Sequence, residues 1–284
     1  MEYQWFPGHM TKAIRQMEED IKLIDLIIEI VDARIPLSSR NPVIDKLANG
    51  KGRIILLNKS DLADPQYNNE WISFYEKKNI QVVLGDSRKN SGLGNLKNAI
   101  LNACNAKIER DKKRGIMNRP LRAMVCGIPN VGKSTFINSY AGKACAKTGD
   151  KPGVTKGKQW IRLNKKLELL DTPGVLWPKF EDKIVGRNLA MIGSINGDIL
   201  DMNELALEII GFMKSNYPGR LTERYTVDEN TDNIAFIEGV ARVRGCLVKG
   251  GDVDMDKAAY IIVNEFRNMK LGRISIERPE GVDK

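Results

Sequence analysis

Gly127-Ile128-Pro129-Asn130-Val131-Gly132-Lys133-Ser134 fits the pattern G-x-x-x-x-G-K-[ST], and its flanks decide what it means. The apolar run Ala123 to Cys126 precedes it and a helix-compatible stretch follows, so the eight residues read as a strand-to-helix turn of an α/β sheet. Small glycines let backbone N–H groups converge on phosphate oxygens while the helix presents its positive end. Lys133 is then expected to bridge the β- and γ-phosphates and the Ser134 hydroxyl to ligate magnesium. Asn130, Val131, Gly132 and Thr135 complete the expected phosphate cradle. At average composition such a pattern arises by chance in roughly 1% of chains this long, so a plain glycine-rich turn is the weaker explanation.

Working outward, Asn58-Lys-Ser-Asp61 follows the apolar run Arg53 to Leu57 and has the N-K-x-D form that reads guanine. A carboxylate at Asp61 accepts the N1–H and N2–H of guanine, donors that adenine does not present there. Asn58 is expected to donate to the base N7, and the Lys59 stem to lie over the ring. An Asx turn after a strand is the bland alternative. Asp86-Ser87-Arg88, after the run Ile80 to Leu84, is the expected loop whose backbone meets the base O6, with Ser87 and Arg88 as its contacts. Asp171-Thr-Pro-Gly174 supplies a D-x-x-G turn with Asp171 as a metal-linked acid and the Gly174 N–H against the γ-phosphate. Asp150-Lys-Pro-Gly153 matches the same short pattern but has no strand before it, so position selects Asp171. Thr155 fits the threonine that ligates magnesium only when triphosphate is bound.

These pieces come in rotated order, with N-K-x-D and the base loop ahead of the phosphate loop. The same sheet results if the original termini are joined, and the charged run Ala106 to Pro120 is read as the exposed linker that joins them. Residues 1–177 are assigned to a circularly permuted P-loop GTPase domain with a mostly parallel sheet, including an N-terminal segment 1–20. From about 178 to 284 helical periodicity dominates, at Ile184 to Tyr217, Asn233 to Val243 and Met255 to Met269, with Asp252 or Asp254 capping the last helix. The D-x-x-G turn runs straight into this all-α domain, so nucleotide state is expected to reach it.

Composition is that of a globular chain of 284 residues, with four scattered cysteines that read as free thiols of a reducing cytoplasm. No apolar run is long enough to span a membrane, which argues against a membrane partner. The formal charge of +9 is uneven: residues 1–174 carry 30 Lys/Arg against 18 Asp/Glu, the remainder 15 against 18. A basic half of that size favours a polyanionic partner, and a solvated surface explains it equally well.

The permuted order, Trp5-Phe-Pro-Gly-His-Met10, Asp32-Ala-Arg34 and the ending Lys257-Ala-Ala…Lys270-Leu-Gly-Arg273 resemble the RbgA (YlqF) family of circularly permuted bacterial ribosome-assembly GTPases. The resemblance covers essentially the whole chain. It implies GTP hydrolysis to GDP and phosphate, docking on an immature large ribosomal subunit (rRNA and ribosomal proteins), and departure after hydrolysis. It also implies a helical domain similar to ANTAR-type RNA-binding domains, with Arg242, Arg244, Lys249, Arg267, Lys270 and Arg273 as the local basic groups. Helical spacing sets Arg267 and Lys270 three apart on one face.

The residue after the D-x-x-G turn is Val175, which cannot orient water as a glutamine would. His9 is the only histidine, and taken alone it has many structural explanations. The resemblance implies a catalytic role for it. Asn130 matches the asparagine that holds a monovalent cation in potassium-stimulated relatives, so K+ joins Mg2+ among the expected cofactors. Two rivals stay open: an RNA-binding adaptor with a purely structural nucleotide site, and an ATPase carrying N-K-x-D by accident.

Overall fold

The computed structural model describes residues 6–89, 91–116, 119–146, 159–180 and 182–279. Six strands form one sheet, with β1 (Leu26–Asp32), β2 (Gly52–Asn58), β3 (Gln81–Leu84), β4 (Leu121–Cys126), β5 (Gln159–Asn164) and β6 (Leu167–Asp171) ordered β3-β2-β1-β4-β6-β5. All neighbours are parallel except β5, which runs antiparallel to β6. Every residue of β1 is buried, as a strand covered on both faces requires. The chain steps outward from β1 to β2 and β3, then returns to place β4 on the other side of β1. That reversal is a topological switch point, and in open sheets ligands bind there, beyond the carboxyl ends of the strands. Asn58, Asp171, Cys126 and the Gly85-Asp86 turn all lie at those ends.

Helices α1 (Gly8–Asp20), α2 (Pro42–Leu47), α3 (Pro65–Lys77), α4 (Leu96–Ala103), α5 (Asn105–Lys113) and α6 (Lys133–Ala141) belong to the same part of the chain. Trp71, Phe74 and Tyr75 of α3 pack against Val31, Ile55 and Leu57 of the central strands. Glu29 is fully buried within β1 and survives there because Arg53 Nη2 lies 2.5 Å from its carboxylate and the Asn41 N–H donates to it at 3.2 Å. Within the run read as an exposed linker, Ala106 to Pro120, the first part is helical, as α5. None of the α5 residues is buried, and the charges that suggested a linker pair along the helix, Lys107 with Asp111 and Lys112 with Glu109.

A second compact unit, Asp182–Ile274, holds α7 (Lys183–Met191), α8 (Met202–Asn216), α9 (Arg220–Tyr225), α10 (Asn233–Val243) and α11 (Met255–Arg267). Four of these five start on an aspartate whose side chain accepts from the first turn: Asp182, Asp201, Asp232 and Asp254. Helix α11 ends at Arg267, with Met269 in the left-handed region, so Lys270 lies past the helix and does not share a face with Arg267. Beyond Ile274 the chain belongs to the first unit again. There Ile276 N and Glu277 N donate to the Arg34 carbonyl at 2.9 and 3.2 Å, and Asp64 N donates to Ser275 Oγ at 3.1 Å. The Glu277 carboxylate accepts Leu37 N at 2.6 Å, Ser38 N at 3.0 Å and the Ser38 hydroxyl. No helix of the described residues is long and apolar enough to cross a membrane.

Candidate functional site

The phosphate loop leaves β4 and enters α6 through Gly132, whose φ of +94° a side chain would resist. Space forbids a side chain there as well: a Cβ on Gly132 would stand 2.5 Å from Asn58 Nδ2. Lys133 is buried and donates to the Ile128 carbonyl at 2.7 Å. Gly174 closes on the same loop, since a Cβ on it would meet both Lys133 Nζ and Pro129 Cα at 2.9 Å. Burial lowers the Lys133 ammonium to about 8 despite the attraction of Asp171, and burial raises the Asp171 carboxyl to about 6 despite Lys133. Burial thus disfavours the charge on each group, and an incoming anion and cation would relieve both.

Asp171 Oδ1 is buried and has no hydrogen-bond partner among the described residues. No group of three or more His, Cys, Asp or Glu side chains that could hold a metal ion is found among those residues. One orphaned carboxylate oxygen suits magnesium, which keeps several waters and takes few protein carboxylates when phosphates supply the rest. Thr155 falls outside the described residues. The turn itself is fixed by Thr172 Oγ1, which donates to Val125 O at 2.8 Å.

The N-K-x-D stretch is bolted to this loop. Asn58 Nδ2 donates to Val131 O at 2.7 Å, and Lys59 Nζ donates to Asn130 O at 2.6 Å. Asn58 Oδ1 accepts the Ser87 N–H at 3.0 Å and the Ser87 hydroxyl at 2.7 Å, so one amide joins all three loops. The expected donation from Asn58 to a base N7 therefore competes with a brace: one of its two N–H groups is committed to the phosphate loop. Asp61 presents its Oδ2 to Arg88 Nη2 at 2.7 Å, and its Oδ1 is buried with no partner among the described residues. Arg88 is also drawn to Asp86, whose Oδ1 accepts the Arg88 N–H at 2.9 Å.

Val175 is 1% exposed, donates to Gly127 O at 3.3 Å and has its carbonyl held by Asn41 Nδ2 at 2.9 Å. His9 lies in the first turn of α1 with an exposed side chain. Its neighbour Met10 is fully buried, with Sδ 3.4 Å from the N–H of Leu176, the residue after Val175. Sequence reasoning did not single out Asn41, nor the ion pair of Asp32 with Arg34. The only signal for the latter was the Asp32-Ala-Arg34 triplet itself.

The expected basic groups of the helical unit diverge in use. Arg267 donates to Met191 O at 3.1 Å and Ala190 O at 2.6 Å, closing the carboxyl end of α7. Arg244 pairs with Glu265 at 3.5 Å. Arg242, Lys249, Lys270 and Arg273 are exposed.

Known proteins resemble this chain along nearly its whole length. The family profile described as "50S ribosome-binding GTPase" matches residues 122–230, from β4 onward. A Bacillus cereus protein called ribosome biogenesis GTPase A is 46% identical over 99% of this chain and 95% of its own length. The GDP-bound structure of TM YlqF superposes with a TM-score of 0.66 at 27% identity, covering 94% of this chain and all of that one. GNP-bound YlqF from T. maritima gives 0.65 at 28% identity over 95% and 99%.

Proposed function

We propose, from the premise that this chain belongs to the ribosome biogenesis GTPase A family and is a GTPase, that it docks in the cytoplasm on an immature large ribosomal subunit and promotes its late maturation. GTP hydrolysis then drives release of the protein. The observation that supports the nucleotide assignment is the double brace from Asn58 and Lys59 to the carbonyls of Val131 and Asn130, because it ties the N-K-x-D stretch to the phosphate loop.

In this reading Asp61 selects guanine, Ser87 offers its backbone to the base O6, and the amides from Asn130 to Thr135 hold the phosphates. Lys133 offsets charge that develops on the γ-phosphate oxygens. Ser134, Thr155 and Asp171 would hold magnesium, which when bound would supply further charge neutralisation, and Asn130 would help hold K+ to the same end. Val175 cannot orient the attacking water, being apolar, buried and engaged only through its backbone. His9 takes that role, supported by the contact of its neighbour Met10 with Leu176. Exposed Arg242, Lys249, Lys270 and Arg273 and the basic first 174 residues supply RNA contacts.

GTP turnover measured with purified large or small ribosomal subunits, in potassium and in sodium buffer, tests the proposal. Stimulation by the large subunit, greater in potassium and strongly reduced in His9→Ala with GTP affinity near normal, is expected. Equal rates with either subunit would overturn the partner, and unchanged single-turnover rates in His9→Ala would overturn the histidine. ATP turning over as well as GTP would restore the ATPase reading.

A further inference from the structure

Asp32 ends β1 and is completely buried, yet it is neither part of the phosphate loop nor of the base-reading stretch. Its carboxylate is saturated with donors. Arg34 gives it Nε and Nη2, both at 2.9 Å, and its own backbone N–H at 3.1 Å, while Lys59 Nζ stands 3.1 Å from Oδ2. The Ser39 hydroxyl accepts the Asp32 N–H at 3.0 Å, so the backbone under the carboxylate is fixed too. Burial alone would raise the Asp32 carboxyl, but Arg34 first and Lys59 next reverse this and hold it well below the usual carboxylate range. Lys59 itself sits at a φ of +58°, a left-handed conformation that a lysine adopts only when its surroundings impose it.

We propose that Asp32 is a positioning residue for guanine nucleotides: it fixes the Lys59 ammonium between its own carboxylate and the Asn130 carbonyl so that the lysine stem lies flat over the purine ring. Arg34 holds Asp32 in the ionised form and in one rotamer. The tail segment holds Arg34 in turn, because the Arg34 carbonyl accepts both Ile276 N and Glu277 N. The chain of support runs from the tail through Arg34 and Asp32 to the lysine, without touching a nucleotide until its last member. A free Lys59 would populate several rotamers and lose most of that ordering on binding, which is the cost that a preplaced side chain avoids.

The inference rests on the assignment of Lys59 to the base, and the experiment separates the two. Dissociation constants for GDP and for IDP, whose base lacks the exocyclic amino group, are measured on the full chain for Asp32→Asn, Lys59→Met and the double variant. Asp32→Asn is expected to weaken both ligands about tenfold and to leave their ratio unchanged, because the ring that the stem covers is common to both. Turnover at saturating GTP stays near the parent value. In the Lys59→Met background the same substitution costs less than twofold. A change below twofold from Asp32→Asn alone, or its full penalty persisting without Lys59, overturns the inference. Lys59→Met binding as well as the parent would instead remove the base assignment. Should Asp32→Asn fail to fold because Arg34 is left unpaired, Asp32→Asn with Arg34→Met removes both buried charges at similar volume and carries the same expectations.

Discussion

The two compact units use charge in opposite ways. In the strand-bearing unit Glu29, Asp32, Arg34, Lys133 and Asp171 are buried. In Asp182–Ile274 the buried polar residues among those described are Asn188 and Ser194, and no charged side chain joins them. Acids there cap helices, and Arg267 closes the end of α7. Burying a charge costs several kcal/mol unless a partner offsets it, so a fold does it only where a ligand or a fixed geometry is needed. The difference separates a unit built to hold a charged ligand from one built to pack and to present a surface.

The sharpest way to break that distinction is at Asp61. Asp61→Asn should weaken GTP about a hundredfold and bring XTP up to compete, since an amide meets the guanine amino group donor to donor but can donate to a 2-oxo group. Parent-like GTP affinity in a competition assay would mean that the buried Asp61 oxygen is not a guanine contact.

Glu277→Ala tests whether the tail is part of the first unit energetically as well as spatially. Two backbone N–H groups and the Ser38 hydroxyl lose their acceptor, for about 2 kcal/mol of stability in urea unfolding. A midpoint equal to the parent's would make the segment a passive tether.

Asp171→Asn should move stability the other way. The folded carboxyl titrates near 6 against an ordinary 3.8, so between those pH values the folded chain binds more protons than the unfolded one and the parent loses stability as pH rises. In the absence of nucleotide the variant should therefore gain up to about 3 kcal/mol at pH 7.5, with the gap opening between about pH 4 and 6 and closing below 4. Magnesium-dependent turnover should fall at the same time. A parent more stable than the variant at pH 7.5 would show that the carboxylate carries no strain.

The smallest effect sharpens the helical side. Arg267→Met should cost about 1 kcal/mol in thermal unfolding, through two lost bonds to the end of α7, and shift large-subunit affinity by less than twofold. Arg242→Ala with Lys249→Ala should leave stability alone and weaken subunit binding several-fold, with a shallower salt dependence. The reverse pattern would place the RNA contact on Arg267.

Strands β2, β3 and β4 lie where an apolar run marked them; interior parallel strands such as β2 and β4 are covered on both faces and leave short continuous apolar stretches that few other structures need. The phosphate loop and the N-K-x-D stretch were equally legible, since contiguous residues carry each. The helical form of α5 was not legible, because a polar helix held by its own ion pairs has the composition of a linker. Arg267 and Lys270 looked like neighbours because spacing says nothing about where a helix stops.

The sequence by itself thus determined the sheet, the family and the motifs from which the phosphate and guanine contacts are proposed, since these depend on local pattern and on groups close along the chain. Only tertiary structure decided that Asn58 braces the phosphate loop, that Arg267 closes α7, and that residues past Ile274 return to grip the loop after β1. Those contacts join positions separated by tens to hundreds of residues, and their donors and acceptors are ordinary side chains and backbone groups whose partners no local pattern specifies.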